Sequence, residues 1–149
     1  MNQNSTYNTW APRFLSLLRI VAGYLFMQHG IQKLFGALNF PGPQPPLMSQ
    51  FGVGGVIEFV AGILIILGLF TRPAAFLAAG QMAVAYFQFH APSGYPLFPV
   101  ANKGEPAVLY CFLFLFYVFA GAGPWSLDAI LARRREQSAS MKQEPILSR

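Results

Sequence analysis

His29 and Lys33 stand four residues apart, and Gln32 is three from His29, so a helix carrying "MQHGIQKLFG" (27–36) shows all three on one face. An imidazole, an amide and an ammonium together can hold a polar head group, exchange protons or pair with a carboxylate. Groups of the same kinds recur downstream: Glu58, then His90 with Gln88 just before it, then Asn102, Lys103 and Glu105. Long apolar runs separate these groups, so only helices that fold back on one another can assemble them.

The composition says what surrounds those helices. Of the 149 residues, 54% are hydrophobic and 10% charged, where an ordinary soluble domain carries about 25% charged residues. The apolar residues fall in four blocks, Phe14–Gly30, Val53–Thr71, Ala74–Ala91 and Ala107–Gly123, each about 17–19 residues long. About 20 residues at 1.5 Å per residue cross ~30 Å of hydrocarbon. Each block holds at most one formal charge, Arg19 in the first and Glu58 in the second. The expectation is an all-α fold: a four-transmembrane-helix antiparallel bundle built from two hairpins.

The first block does not read as a cleaved signal peptide, because Arg19 interrupts it and no small-x-small site follows. The single cysteine, Cys111, lies inside the fourth block, which excludes an intrachain disulfide and a cysteine-ligated cluster.

Charge sets the orientation. Four spans leave both termini on one side, with Arg13, Arg19, Arg72, Arg133, Arg134, Arg135, Lys142 and Arg149; the other side receives only Lys33 and Lys103. The positive-inside rule therefore puts both termini in the cytoplasm. The net charge of +5 is a topology signal and not a nucleic-acid footprint, since the basic residues flank apolar spans or lie in a polar tail. Trp10 and Trp125 suit the cytoplasmic headgroup layer. The expected organisation is a cytoplasmic segment (1–13), a transmembrane domain (14–131, with spans about 14–35, 53–71, 74–91 and 105–123) and a basic cytoplasmic tail (132–149). The "EQSASMKQEPILSR" end (136–149) lacks helical periodicity and reads as mobile, and "MNQNSTYNT" as equally unconstrained.

This orientation gathers His29, Gln32, Lys33, Glu58, His90, Asn102 and Glu105 into one layer at the outer face. Charges exposed to lipid are costly, so His29 and Lys33 are expected to face Glu58 and Glu105 across an outward-facing pocket lined by Tyr86, Phe87 and Phe89. Simpler roles stand beside this one. Lys33 and Lys103 can snorkel to headgroups, Asn102 to Glu105 resembles a capping box, and His29 can be a polar contact between helices. Toward the other face, Arg19 needs a partner; Asp128 is the expected ion-pair partner, with the carbonyls of Gly121–Gly123 as the alternative. Ala75, Ala79 and Ala83 form a small-residue stripe for close helix approach.

The stretches "LRIVAGYLFMQHGIQKLFG", "FGVGGVIEFVAGILIILGLFTRPAAFLAAGQMAVAYF" and "NKGEPAVLYCFLFLFYVFAGAGPWSLD" resemble the DoxX family of small bacterial four-helix membrane proteins. The resemblance covers roughly residues 17–131: a His-Gly-x-x-Lys ending at His29, Gly30 and Lys33, a second-helix Glu at Glu58, and a Thr-Arg turn at Thr71 and Arg72. An Asn-x-Gly-Glu start matches Asn102, Gly104 and Glu105, and the Gly121–Asp128 exit follows the family's Gly-x-Gly-Pro-x-Ser-Leu-Asp pattern. It implies a bacterial inner-membrane protein tied to a redox or oxidative-stress-linked oxidoreductase system.

Three function classes remain. One is the membrane subunit of such a system with a quinone or small-ligand pocket at His29, Glu58 and His90; no flavin or nicotinamide fingerprint is present, so electrons would come from a partner subunit or another substrate. A bis-histidine haem is disfavoured because the sequence does not specify the large apolar slot it needs. A metal is disfavoured because His29, Glu58, His90 and Glu105 form no local ligand motif. The second class is a small-solute or proton transporter, which would need a homo-oligomer to complete a path beyond Gln81. The third is a structural, partner-binding membrane protein whose polar layer only locks helices together.

Overall fold

The computed structural model describes residues 3–39 and 42–143. Among these the fold is all-α: α1 (Gln3–Phe35), α2 (Gln50–Leu67), α3 (Thr71–Ala85), α4 (Glu105–Ala120) and α5 (Leu127–Gln143), with a π-helical turn (Tyr86–His90) and a 3-10 turn (Ala91–Ser93) continuing α3. The loop between α1 and α2 and the 91–104 segment share one end of the molecule, the loop end. The first turns of α1 and the start of α5 mark the opposite, termini end.

Local chemistry accounts for the boundaries. Ser49 caps α2 by accepting from the Gly52 N–H at 3.1 Å. Gly68, at φ 64°, ends α2 in a Schellman turn, with Gly68 N–H on Ile65 O at 3.1 Å and Leu69 N–H on Leu64 O at 3.0 Å. The turn expected at Thr71–Pro73 thus lies three residues earlier, at 68–70, and Pro73 sits in the first turn of α3, where its missing N–H costs nothing.

Two expectations about the ends are corrected. Residues 3–13 are helical and continuous with α1, because Pro12 removes only one backbone bond. The basic tail is helical through Gln143: Ser126 Oγ accepts from Ala129 N–H at 3.1 Å, and the following Arg, Ala, Glu and Gln residues favour helix without needing an apolar face. Residues 144–149, the end of the tail expected to be mobile, lie outside the described residues.

Packing is uneven around the core. α1 and α2 are antiparallel and meet along glycines, Gly23 and Gly30 on one helix and Gly55 and Gly62 on the other, each pair seven residues apart. A Cβ at Gly30 would stand 2.5 Å from Phe59 N and 2.8 Å from Gly55 O, so this approach tolerates no side chain. α3 lays Thr71, Ala74, Ala75, Ala78, Ala79 and Met82 inward and packs closely on α4. α1 meets α4 through rings, Phe26 against Phe114 at 4.7 Å and against Tyr110 at 5.7 Å. α2 packs on α3 less closely than α1 does on α2 or α3 on α4.

The outer faces invert those of a soluble protein. Phe14, Val21, Val60, Phe76, Phe112 and Phe119 are exposed, and on all four helices the fully buried positions include small or polar side chains. Two described helices, Thr6–Phe35 and Gln50–Leu67, are long and apolar enough to cross a membrane; α4 is apolar but shorter. Helices apolar on their outward faces match hydrocarbon as their solvent.

Candidate functional site

The glycine contact of α1 with α2 brings the last turn of α1 against the middle of α2. Lys33 Nζ there donates to Glu58 Oε1 at 2.5 Å, the only ion pair among the described residues. Glu58 is 1% exposed; Lys33 keeps 20% of its side chain accessible. From α3, Gln81 Nε2 donates to the same Glu58 oxygen at 3.0 Å. Glu58 Oε2 and Gln81 Oε1 are buried and accept from no protein donor.

These groups open into a cavity of about 290 Å³ at the loop end, lined also by His29, Gln50, Phe89, His90 and Tyr110. His29 meets Tyr110 edge to face at 6.3 Å. His90 lies over the Tyr86 ring at 6.4 Å, and its Nδ1 is 3.2 Å from Asn102 O. A carbonyl only accepts, so that Nδ1 carries the proton and Nε2 of the neutral ring is an acceptor. Among the described residues no three His, Cys, Asp or Glu side chains are grouped to hold a metal ion.

The residues read from the sequence divide here. His29, Lys33, Glu58 and His90 line the cavity. Gln32 does not: its amide ties Leu38 O at 3.0 Å. Asn102 is buried in the loop, donating to Tyr86 Oη and Tyr95 O and accepting from Gly104 N–H at 2.9 Å. That bond corrects the capping box, since the capping position of α4 is Gly104. Glu105 is also corrected. It is exposed on the α1–α4 side among Leu18, Val21 and Leu109, because the inward phase of α4 is set by Ala107, Phe114 and Tyr117.

Phe89 reaches the cavity, whereas Phe87 is exposed and Tyr86 turns to the loop, donating to Pro96 O at 2.7 Å. The π-helical turn resets the helical phase at these residues. Gln50 and Tyr110 were not singled out beforehand; Gln50 opens α2 and Tyr110 interrupts an apolar run, neither an unusual place for such a residue.

At the termini end, the expected Arg19–Asp128 ion pair is not formed. Arg19, 0% exposed, donates Nε to Ala122 O at 2.8 Å, Nη1 to Ile65 O and to Ile66 O at 2.7 Å, and Nη2 to Trp125 O at 2.5 Å. The last-turn carbonyls of α2 are the negative end of the helix dipole, so a cation fits there. Asp128 instead accepts the Phe70 and Thr71 N–H groups, both at 2.9 Å, and caps α3 from α5. Of the alternatives expected for Arg19, the exit carbonyls are therefore the ones engaged.

The DoxX family model matches residues 14–91. An uncharacterized protein of Haemophilus influenzae is 49% identical over 125 residues, covering 80% of this chain and 91% of that protein. An uncharacterized membrane protein of Mycobacterium tuberculosis is 28% identical over 137 residues, 83% of this chain and 84% of its own length. No solved structure matches the chain.

Proposed function

The chain belongs to the DoxX family, and from that premise we propose a multi-pass protein of the bacterial inner membrane that offers a redox partner a small-ligand pocket. In this reading α1 to α4 cross the bilayer as a four-helix antiparallel bundle of two hairpins, with both termini in the cytoplasm. The exposed apolar faces of all four helices support the spans, and the crowding of basic residues at the termini end supports the orientation.

One observation carries the pocket: a buried carboxylate, Glu58, is held by Lys33 and Gln81 on the wall of an otherwise largely apolar cavity. Such a cavity suits a ring with polar substituents, and a quinone or quinol is the lipid-soluble redox carrier of that description. Glu58, His29 and His90 are the groups that would accept or hold its protons. Between the Glu58 cavity and the buried Arg19 the buried side chains include Phe26, Ala61, Ile65, Ala78 and Phe114, and this apolar layer favours a closed pocket over a transport path.

The competing reading is structural, and the same network favours it, because Glu58 joins α1, α2 and α3. Protein purified in mild detergent separates the two when its extract is assayed for quinone and its co-purifying partners are identified. Quinone retained by the wild type and lost in Glu58→Gln is the expected result. Equal quinone content and equal partners in both proteins would leave the network a structural lock.

A further inference from the structure

A second groove, of about 440 Å³, opens on the side of the molecule between α2 and α3. It adjoins the Glu58 cavity, since Gln50, Gly54, Gln81, Ala85 and Phe89 line both. Beyond that shared wall its lining is apolar, including Ile57, Phe76, Leu77, Gly80 and Val84. Phe76 and Leu77 are exposed at its margin, on the outward apolar face. At the loop end the gap is strapped by a hydrogen bond that the Gln50 amide donates to Gln88 Oε1 and by the Phe51 and Phe89 rings 4.5 Å apart.

We propose that this groove is a lateral slot for the apolar tail of an amphipathic ligand whose donor-bearing head sits against Glu58 and Gln81; the inference rests on the pocket reading above and adds the route and the head's polarity. Phase and position argue for the route: the strap covers the loop end, whereas the apolar side faces the hydrocarbon. The head's polarity follows from the two buried acceptors, Glu58 Oε2 and Gln81 Oε1, which no protein group satisfies. Buried acceptors demand a donor, and a phenol or hydroquinone hydroxyl supplies one where a quinone carbonyl does not. At about 290 Å³ the head cavity is at the small end of the ~300–1,000 Å³ typical of small-molecule sites, which suits a single ring.

Gly80 gives a direct test, because a Cβ there meets nothing within 4 Å. Full-length protein in nanodiscs is titrated with decyl-substituted hydroquinone and with unsubstituted hydroquinone. Gly80→Phe fills the slot and should weaken the decyl compound by about tenfold or more while leaving the tail-less one unchanged. Gly80→Leu should show a smaller loss in the same direction. Unchanged affinity for the decyl compound in both Gly80→Phe and Gly80→Leu overturns the slot. Decyl benzoquinone should bind more weakly than its hydroquinone; equal binding overturns the donor-bearing head. Glu58→Gln should weaken both hydroquinones alike, and a wild type that binds neither would defeat the pocket reading itself rather than the route.

Discussion

Gln81 on α3 and Lys33 on α1 donate to one and the same oxygen of Glu58, at 3.0 and 2.5 Å. A single buried carboxylate thus ties three helices, and its second oxygen has no protein donor. The partners differ in their freedom. Glu58 is 1% exposed and held within α2, whereas Lys33, one-fifth accessible, can move its ammonium toward the loop end.

That asymmetry makes the two halves of the ion pair unequal. Lys33→Ala strands a buried carboxylate and should cost about 3–5 kcal/mol. Glu58→Gln keeps the shape and leaves an ammonium that can relocate, so about 1–2 kcal/mol is expected. The double variant should be more stable than Lys33→Ala alone. Thermal unfolding in one detergent, arranged as a double-mutant cycle, measures all three.

At the other end, Arg19 gathers carbonyls from Ile65, Ile66, Ala122 and Trp125 with a rigid guanidinium fork. Lysine carries the same charge but cannot span them. Arg19→Lys should therefore cost about 3 kcal/mol, far more than conservation of charge suggests. A variant within about 0.5 kcal/mol of wild type in a detergent unfolding titration would show that charge alone suffices.

Asp128 contributes as a cap delivered from another helix. Asp128→Ala removes acceptors from the Phe70 and Thr71 N–H groups and should cost about 1–2 kcal/mol. Amide exchange at those two positions should accelerate more than exchange at Ala78 in the middle of α3. Uniform acceleration along the helix would contradict a local cap.

Two glycine-to-alanine changes should have opposite signs. At Gly30 the methyl group collides with the Phe59 backbone and should destabilise by about 1–3 kcal/mol. At Gly80 it enters open space and should stabilise α3 by up to about 1 kcal/mol through helix propensity. Paired melting curves decide, and equal shifts would refute the tight α1–α2 contact.

The proposed orientation is open to labelling. In a Cys111→Ala background, Ser93→Cys should react with a membrane-impermeant maleimide on intact spheroplasts. Ser138→Cys, on α5, should react only after lysis. The reverse pattern would invert the topology.

The apolar helices were legible in the chain because they follow from composition, blocks of Leu, Ile, Val and Phe; their ends at Ser49, Gly68 and Gly121 were not, since the expected blocks ran past Gly68 to Thr71 and past Gly121 to Gly123. Legible too was the placing of His29, Lys33, Glu58 and His90 near one end, since depth along a helix is simply residue count times rise. The sequence also contained, unread, the seven-residue spacing of Gly23 with Gly30 and of Gly55 with Gly62 that draws α1 onto α2.

Helical phase and long-range partners were a different matter, and the tertiary structure alone decided them. Glu105, expected in the same polar layer as Glu58, faces outward, because the packing of Phe114 and Tyr117 sets the rotation of α4. Of the three aromatic residues expected to line the pocket, Phe89 does and Tyr86 and Phe87 do not, because a π-helical turn, which no residue pattern announces, resets the phase of α3 at its end. Asp128 and Arg19 lie near one another in every sequence-level picture, but each found stronger partners in backbone groups whose availability exists only once the helix ends are in place. Local chemistry sets where a helix starts, stops and how deep each residue lies; which way a side chain points, and what it meets, depends on the packing of every neighbouring helix at once.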